Sequence, residues 1–156
     1  MGLRENLWRE PITSLALREA VTVSPSMTVR QTVELMRDRK VGAVITVDAA
    51  GKPNGMFTEK LLIRLLAYRS EALNEPVGSH ITPRIVCLRR DEPIARVIDV
   101  MQKHSLRWVC IVDEAGKAVA LTGLRRVMEY VIEHVPRIVK VQPIEPKLSM
   151  QQREGE

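Results

Sequence analysis

The sequence is poor in aromatic residues: two Trp, two Tyr and one Phe make up 3% of 156 residues. A packed core must therefore come from Val, Ile, Leu and Met. The interleaved aromatics of a nucleic-acid surface are missing as well. No apolar run approaches the roughly 18–20 residues that a membrane-spanning helix needs, so no membrane association is expected. The stretch from Met1 to Glu10 carries charges and lacks the uninterrupted apolar segment of a signal peptide. A cytoplasmic location is the expectation. The two cysteines, Cys87 and Cys110, lack CxxC spacing. They read as buried free thiols in strands, since Cys packs as a small hydrophobe, and a disulfide is not expected in a reducing compartment. His80, His104 and His134 show no metal-ligand spacing. No Gly-rich phosphate loop opens a helix, no Ser/His/Asp set stands in a supporting context, and no paired carboxylates suggest a cleft. The chain is not expected to be an enzyme, and no cofactor is required.

What is present is a 45% apolar, 28% charged chain, the size of one ordinary domain or two very small ones. The formal charge is +5 and the pI about 9.6. That balance favours anionic partners, whether nucleotides, nucleic acid or an acidic protein surface. It also fits a merely solvated basic surface, because the charge is spread along the chain.

One stretch is written twice. Met36 to Lys52 and Met101 to Lys117 each read as a helix end, a loop, an apolar strand and an Asp-x-x-Gly turn. Met36 and Met101, Asp48 and Asp113, Gly51 and Gly116, and Lys52 and Lys117 are all 65 positions apart. Such a repeat decides the architecture.

Around it the order is strand, helix, strand, strand, helix. Val21 to Val23 is a β-branched run before a Ser-Pro-Ser turn. Thr28 and Gln31 match a capping box, and Val29, Val33 and Met36 lie on one face of the helix that follows. Val41 to Val47 is a buried strand, and Gly55 to Phe57 returns from a hairpin. Thr58 can cap a second helix with Leu62, Leu65 and Leu66 inward. Tyr68 to Gly78 is a polar connector. The second copy follows with strand Ile85 to Leu88, a helix after Pro93 carrying Ile94, Val97, Ile98 and Met101, strand Trp108 to Val112, and return strand Val119 to Leu121. Thr122 precedes the last helix, whose expected inner face is Leu124, Val127, Met128, Val131 and Val135. Thr58 and Thr122 are 64 apart, which makes the second hairpin one residue shorter. The divisions are a lead-in (1–11), repeat one (12–72), repeat two (77–135) and a partly mobile extension (136–156). Within that extension, Ile138 to Val141 could dock on the body.

This doubled βαββα unit resembles the cystathionine β-synthase-like (CBS) domain, and two copies resemble the CBS pair, or Bateman module. The resemblance covers roughly residues 12 to 135. It implies an α/β (α+β) fold with the two small sheets packed about a pseudo-two-fold axis, and a homodimer of such pairs. It also implies ligand sensing in clefts between the copies, most often of AMP, ADP or ATP, sometimes of S-adenosylmethionine or cyclic dinucleotides. The ligand state would be passed to a separate, unidentified effector protein.

The resemblance implies three sources of site residues. The first strand would offer Thr22 and Val23, then Val86 and Cys87. The loop opening the middle strand would offer Lys40, Val41 and Gly42, then Arg107 and Trp108. The third source is a Thr/Ser-x-x-Asp motif, read here as Thr58 with Leu61 and Thr122 with Arg125. Leucine offers a ribose no acceptor and arginine only donors. Losing such an acceptor costs on the order of 1–3 kcal/mol. Thr58 and Thr122 are equally explained as helix caps, Arg125 as a solvated side chain, Trp108 as core and Glu59 as a first-turn acid. Copy two, through Thr122, Arg125 and Arg107, is expected to be the better anion site. Two alternatives stand beside the sensor: a ligand-free dimerising scaffold, and a nucleic-acid-binding protein.

Overall fold

The computed structural model describes residues 2–83 and 85–135. The expected extension, 136–156, lies outside the described residues, its docking segment Ile138 to Val141 included. The elements are α1 (Leu3–Arg9), β1 (Arg18–Glu19), β2 (Thr22–Val23), α2 (Val29–Arg39), β3 (Ala43–Val47), β4 (Pro53–Thr58) and α3 (Glu59–Tyr68). They continue with β5 (Cys87–Arg89), α4 (Ile94–His104), β6 (Trp108–Val112), β7 (Ala118–Gly123) and α5 (Leu124–His134). The fold is α/β with two βαββα repeats. No described helix is long and apolar enough to cross a membrane.

Local chemistry sets the element ends. The Gln31 N–H donates to Thr28 Oγ1 and the Thr28 N–H to Gln31 Oε1, each at 3.1 Å, so the capping box closes reciprocally at the start of α2. Helix α4 starts after Pro93 without a side-chain cap. In the hairpin turns, Asp48 Oδ1 accepts from the N–H groups of Ala50 and Lys52, and Asp113 Oδ1 from those of Ala115 and Lys117. Gly51 and Gly116 follow at φ +80° and +81°, in the left-handed region that glycine enters without strain. The repeated Asp-x-x-Gly is thus one turn used twice.

Three sequence expectations change. On α3 the inward residues are Leu61, Leu62 and Leu65, while Leu66 is 43% exposed. On α5 Val127 and Tyr130 are buried and Val131 packs against them, whereas Leu124, Met128 and Val135 are exposed together with Ile132. Both helices carry two apolar stripes, and periodicity alone does not say which one the sheet takes. The connector is also not merely polar. It forms short 3-10 turns at Ser70–Asn74 and Val77–Ser79, in which Ala72 and Val77 are wholly buried.

The three-stranded sheet runs β2-β3-β4 and the four-stranded sheet β1-β7-β6-β5. In each, the first strand of the repeat pairs parallel to the middle strand, and the hairpin pairs antiparallel. The segments that precede each repeat are exchanged. Ile12 and Leu15 enter the copy-two core with Ile94, Val97, Val109 and Ile111. Val77 enters the copy-one core with Val23, Val29, Val44 and Phe57. The Ile12 N–H donates to the Glu92 carbonyl at 2.8 Å, and the Val77 N–H to the Met27 carbonyl at 2.7 Å. Donors and acceptors again differ by 65 (77 − 12 and 92 − 27). Strand β1 likewise pairs with β7 rather than with its own repeat, and α1 lays Leu3 and Leu7 on the copy-two core. Each repeat therefore lends its first residues to the core of the other.

Between the sheets lies a third cluster of Ala43, Ile45, Met56, Cys110, Val112 and Leu121. Ile45 and Cys110 are counterparts, as are Met56 and Leu121. Gly51 lies against Lys117 and Gly116 against Lys52. Each glycine thus meets the counterpart of its own neighbouring lysine, as a local two-fold axis requires.

Candidate ligand-binding clefts

Two related clefts lie between the copies, and they differ. The open one encloses about 240 Å³ and is bordered by Gly42, Met56, Thr58, Glu59 and Lys60 from copy one and by Thr82, Ile85, Val86, Ser105, Leu106, Arg107 and Trp108 from the second half. The other, bordered by Arg18, Glu19, Val21, Val41, Gly42, Ala43, Ile45, Trp108 and Leu121, holds about 20 Å³, room for roughly one water.

Backbone register explains the open cleft. Thr58 ends β4 and caps α3, its Oγ1 accepting from the Leu61 N–H at 3.3 Å. The Glu59 N–H donates to the Gly42 carbonyl at 3.0 Å, which fastens the helix start to the loop after α2. A Cβ at Gly42 would stand 3.3 Å from Glu59 Oε2 and 3.4 Å from Trp108 Cζ2. The glycine therefore lets a carboxylate and an indole edge share one wall. Lys60 and Arg107 bring two cations to the same space. Among the described residues none of Glu59, Lys60 and Arg107 forms an ion pair, so these charges face solvent unpartnered.

The closed cleft owes its small volume to its own residues. Trp108 lines it, and Arg18 donates to the Lys40 carbonyl at 3.2 Å beside it. Position 123, the counterpart of Thr58, is glycine. A Cβ there would come 2.6 Å from the Arg107 carbonyl and 3.4 Å from the Trp108 ring. No threonine fits at that point unless the strands part.

This register corrects the sequence reading of copy two. Ala43 pairs with Thr58 and Trp108 with Gly123, and both hairpins carry their irregularity at the same place, after Thr46 and after Ile111. The hairpins are equal in length, and the 65-residue offset holds through them (123 − 58). Thr122 is therefore the counterpart of Phe57. It is buried within β7, caps nothing, and its Oγ1 has no hydrogen-bond partner. The residue at the position of Leu61 is Arg126, not Arg125. Arg125 points outward with its side chain 89% exposed and pairs with Glu129 at 3.2 Å, while Arg126 meets the same carboxylate at 2.7 Å. The two guanidiniums, Arg126 first, hold the Glu129 carboxyl below its ordinary range.

Of the residues singled out from the sequence, Gly42, Thr58, Val86, Arg107 and Trp108 border the open cleft, and Val41 borders the closed one. Val23 lies in the copy-one core. Thr22 is exposed on its strand, and Cys87 lies beside Cys110 in the cluster between the sheets. Lys40 sits in a shallow hollow over α2. Leu61 faces the copy-one core and a hollow with Arg64, Tyr68 and His80. The expected grouping of Arg107 with Thr122 and Arg125 is not formed; Arg107 shares its cleft with Thr58 of the other copy. Glu59, Lys60, Thr82 and Ser105 were not read as site residues. Applying the 65-residue offset strictly at Lys40 would have pointed to Ser105, because both residues end their helices in the left-handed conformation, at φ 53° and 52°.

Residues 12–68 and 77–133 each match the family model of the CBS domain. Among curated proteins, an uncharacterised 17.7 kDa protein of Acidianus ambivalens is 19% identical over 73% of this chain and 68% of its own length. A protein of Methanopyrus kandleri is 22% identical over 76% of this chain and 61% of its own length. Among solved structures, a protein of Pyrococcus horikoshii superposes with TM-score 0.69 at 24% identity, over 80% of this chain and 93% of that one. A CBS domain protein of Pyrobaculum aerophilum, complexed with AMP, gives 0.69 at 20% identity over 79% and 96%. The CBS domain pair of protein MJ0100, in complex with 5′-methylthioadenosine and S-adenosyl-L-methionine, gives 0.70 at 16% over 79% and 96%.

Proposed function

The chain belongs to the CBS domain family, two matched repeats making one pair, and on that premise we propose that it is a ligand-sensing regulatory protein rather than an enzyme. Its open cleft takes an adenine nucleotide or a related adenosyl ligand, and the bound state is read by a separate partner protein in the cytoplasm. The observation that carries this reading is the composition of the open cleft. An apolar wall of Ile85, Val86 and Trp108 stands beside two unpaired cations, Lys60 and Arg107, and one unpaired carboxylate, Glu59. The apolar wall suits the base, and a guanidinium suits a phosphate or carboxylate. Glu59 supplies the acceptor for ribose hydroxyls that Leu61 cannot, because Leu61 turns to the copy-one core while Glu59 borders the cleft. Structures of the same fold have been solved with AMP, S-adenosyl-L-methionine and 5′-methylthioadenosine, which supports this ligand class.

The mechanism is a population shift. A ligand touching residues of both copies binds one mutual arrangement more tightly and so favours it, and a partner that distinguishes the arrangements reads the ligand. Thermal unfolding in the presence of AMP, ADP, ATP, S-adenosylmethionine and 5′-methylthioadenosine tests the class. At a ligand concentration of about 100 Kd a binder stabilises the native state by about 2.7 kcal/mol, which raises the midpoint by several degrees. A flat response to all five would leave a dimerising scaffold as the function.

A further inference from the structure

We propose that Cys87 and Cys110 form a redox-active thiol pair, closed by a peroxide or a low-molecular-weight disulfide into an intrachain cystine on the wall between the two copies. The two residues are register partners on the parallel strands β5 and β6. Neighbouring strands lie about 4.8 Å apart, inside the Cα separation of roughly 4.4–6.8 Å that a cystine spans. Register partners point to the same side of a sheet, and both side chains lie in the cluster between the sheets. Cys110 is wholly buried, and Cys87 is half-buried at the end of a three-residue edge strand. Reagents therefore reach Cys87 first.

The thiols are matched to two different roles. The neighbouring Cys110 thiol lowers the Cys87 pKa, while Cys87 and burial raise that of Cys110. Cys87 is the nucleophile and Cys110 the resolving thiol. With a peroxide, the Cys87 thiolate attacks an oxygen; an S–O bond forms, the O–O bond breaks, and the leaving hydroxide or alkoxide is protonated. The Cys110 sulfur then attacks the Cys87 sulfenic acid. An S–S bond forms, the S–O bond breaks, and the Cys110 proton leaves with the hydroxyl as water. Two thiols lose two electrons and one peroxide gains them. With oxidised glutathione, Cys87 forms a mixed disulfide as one glutathione thiol leaves, and Cys110 then displaces the second. Packing alone does not require the pair, since copy one fills the counterpart positions with Thr22 and Ile45.

The test treats the reduced full chain with hydrogen peroxide or oxidised glutathione, then denatures it in N-ethylmaleimide for intact-mass and peptide analysis. The expected product has lost two hydrogen atoms, takes up no maleimide, yields one cross-linked peptide pair, and returns to two maleimide adducts after dithiothreitol. The chain has only these two cysteines, so the bridge is identified without ambiguity. In Cys87→Ser, oxidation of Cys110 should slow by about tenfold or more, because the accessible thiolate is gone. The proposal is overturned if Cys87 ends as a sulfinic acid or a glutathione adduct while Cys110 still takes maleimide. A bridge between two chains, absence of reaction, or unchanged Cys110 oxidation in Cys87→Ser would overturn it equally. Should Cys87→Ser fail to fold, the parent-chain products decide alone.

Discussion

Thr122 and Phe57 occupy the same place in the two hairpins, and only the phenylalanine suits it. The Thr122 hydroxyl is buried without a partner, so folding strips it of water and returns nothing. Thr122→Val keeps the shape and removes that penalty. The expected outcome is a gain of about 1 kcal/mol, read as a higher urea midpoint with an unchanged slope. A loss of stability or of ligand binding would mean that the hydroxyl has a use not visible in the packing. This residue also shows where sequence reading fails. Matching the letter Thr at 58 and 122 overrode a register that every other repeat pair obeyed, and it misplaced the acid position by one residue. Backbone pairing resolves the matter because a one-residue slip would turn every β7 side chain to the opposite face.

Elements were legible where chemistry is local. The Thr28/Gln31 box, the two Asp-x-x-Gly turns and the parallel and antiparallel strands follow from a few residues each. The facing of α3 and α5 does not, because it depends on what the sheet already holds. Both helices leave apolar side chains outward: Ile63 and Leu66 on α3, and Leu124, Met128, Ile132 and Val135 on α5. Ile63 and Met128 are repeat counterparts, so the two stripes present similar chemistry on two related helices. Exposed apolar side chains gathered on two helices suit an interface, and a second copy of the chain is the occupant we propose. Ile132→Glu, 69% exposed in the single chain, should halve the mass measured by sedimentation and leave the far-UV circular dichroism intact. A variant that remains dimeric would move the interface elsewhere.

At the scale of the molecule, the doubled order of elements was legible and the exchange of segments was not. Nothing local tells Ile12 to enter the core of the repeat that follows its own. Its burial there means that neither half is complete by itself. Ile12→Ala should cost roughly 2–5 kcal/mol, and fluorescence and circular dichroism should still report one shared unfolding transition. Separate transitions would mean that the halves fold independently. The site likewise needs both halves, since the open cleft joins Thr58, Glu59 and Lys60 of one copy to Ile85, Val86, Arg107 and Trp108 of the other. Its asymmetry with the closed cleft predicts a single ligand per chain. Calorimetric titration of AMP into the intact chain, beside Arg107→Ala and Arg125→Ala, measures this directly. One AMP should bind per chain, with affinity reduced by about 10- to 150-fold in Arg107→Ala, the loss of a charged hydrogen bond, and unchanged in Arg125→Ala. Two AMP per chain, or full affinity without the Arg107 guanidinium, would show that the open cleft is not where the ligand is held.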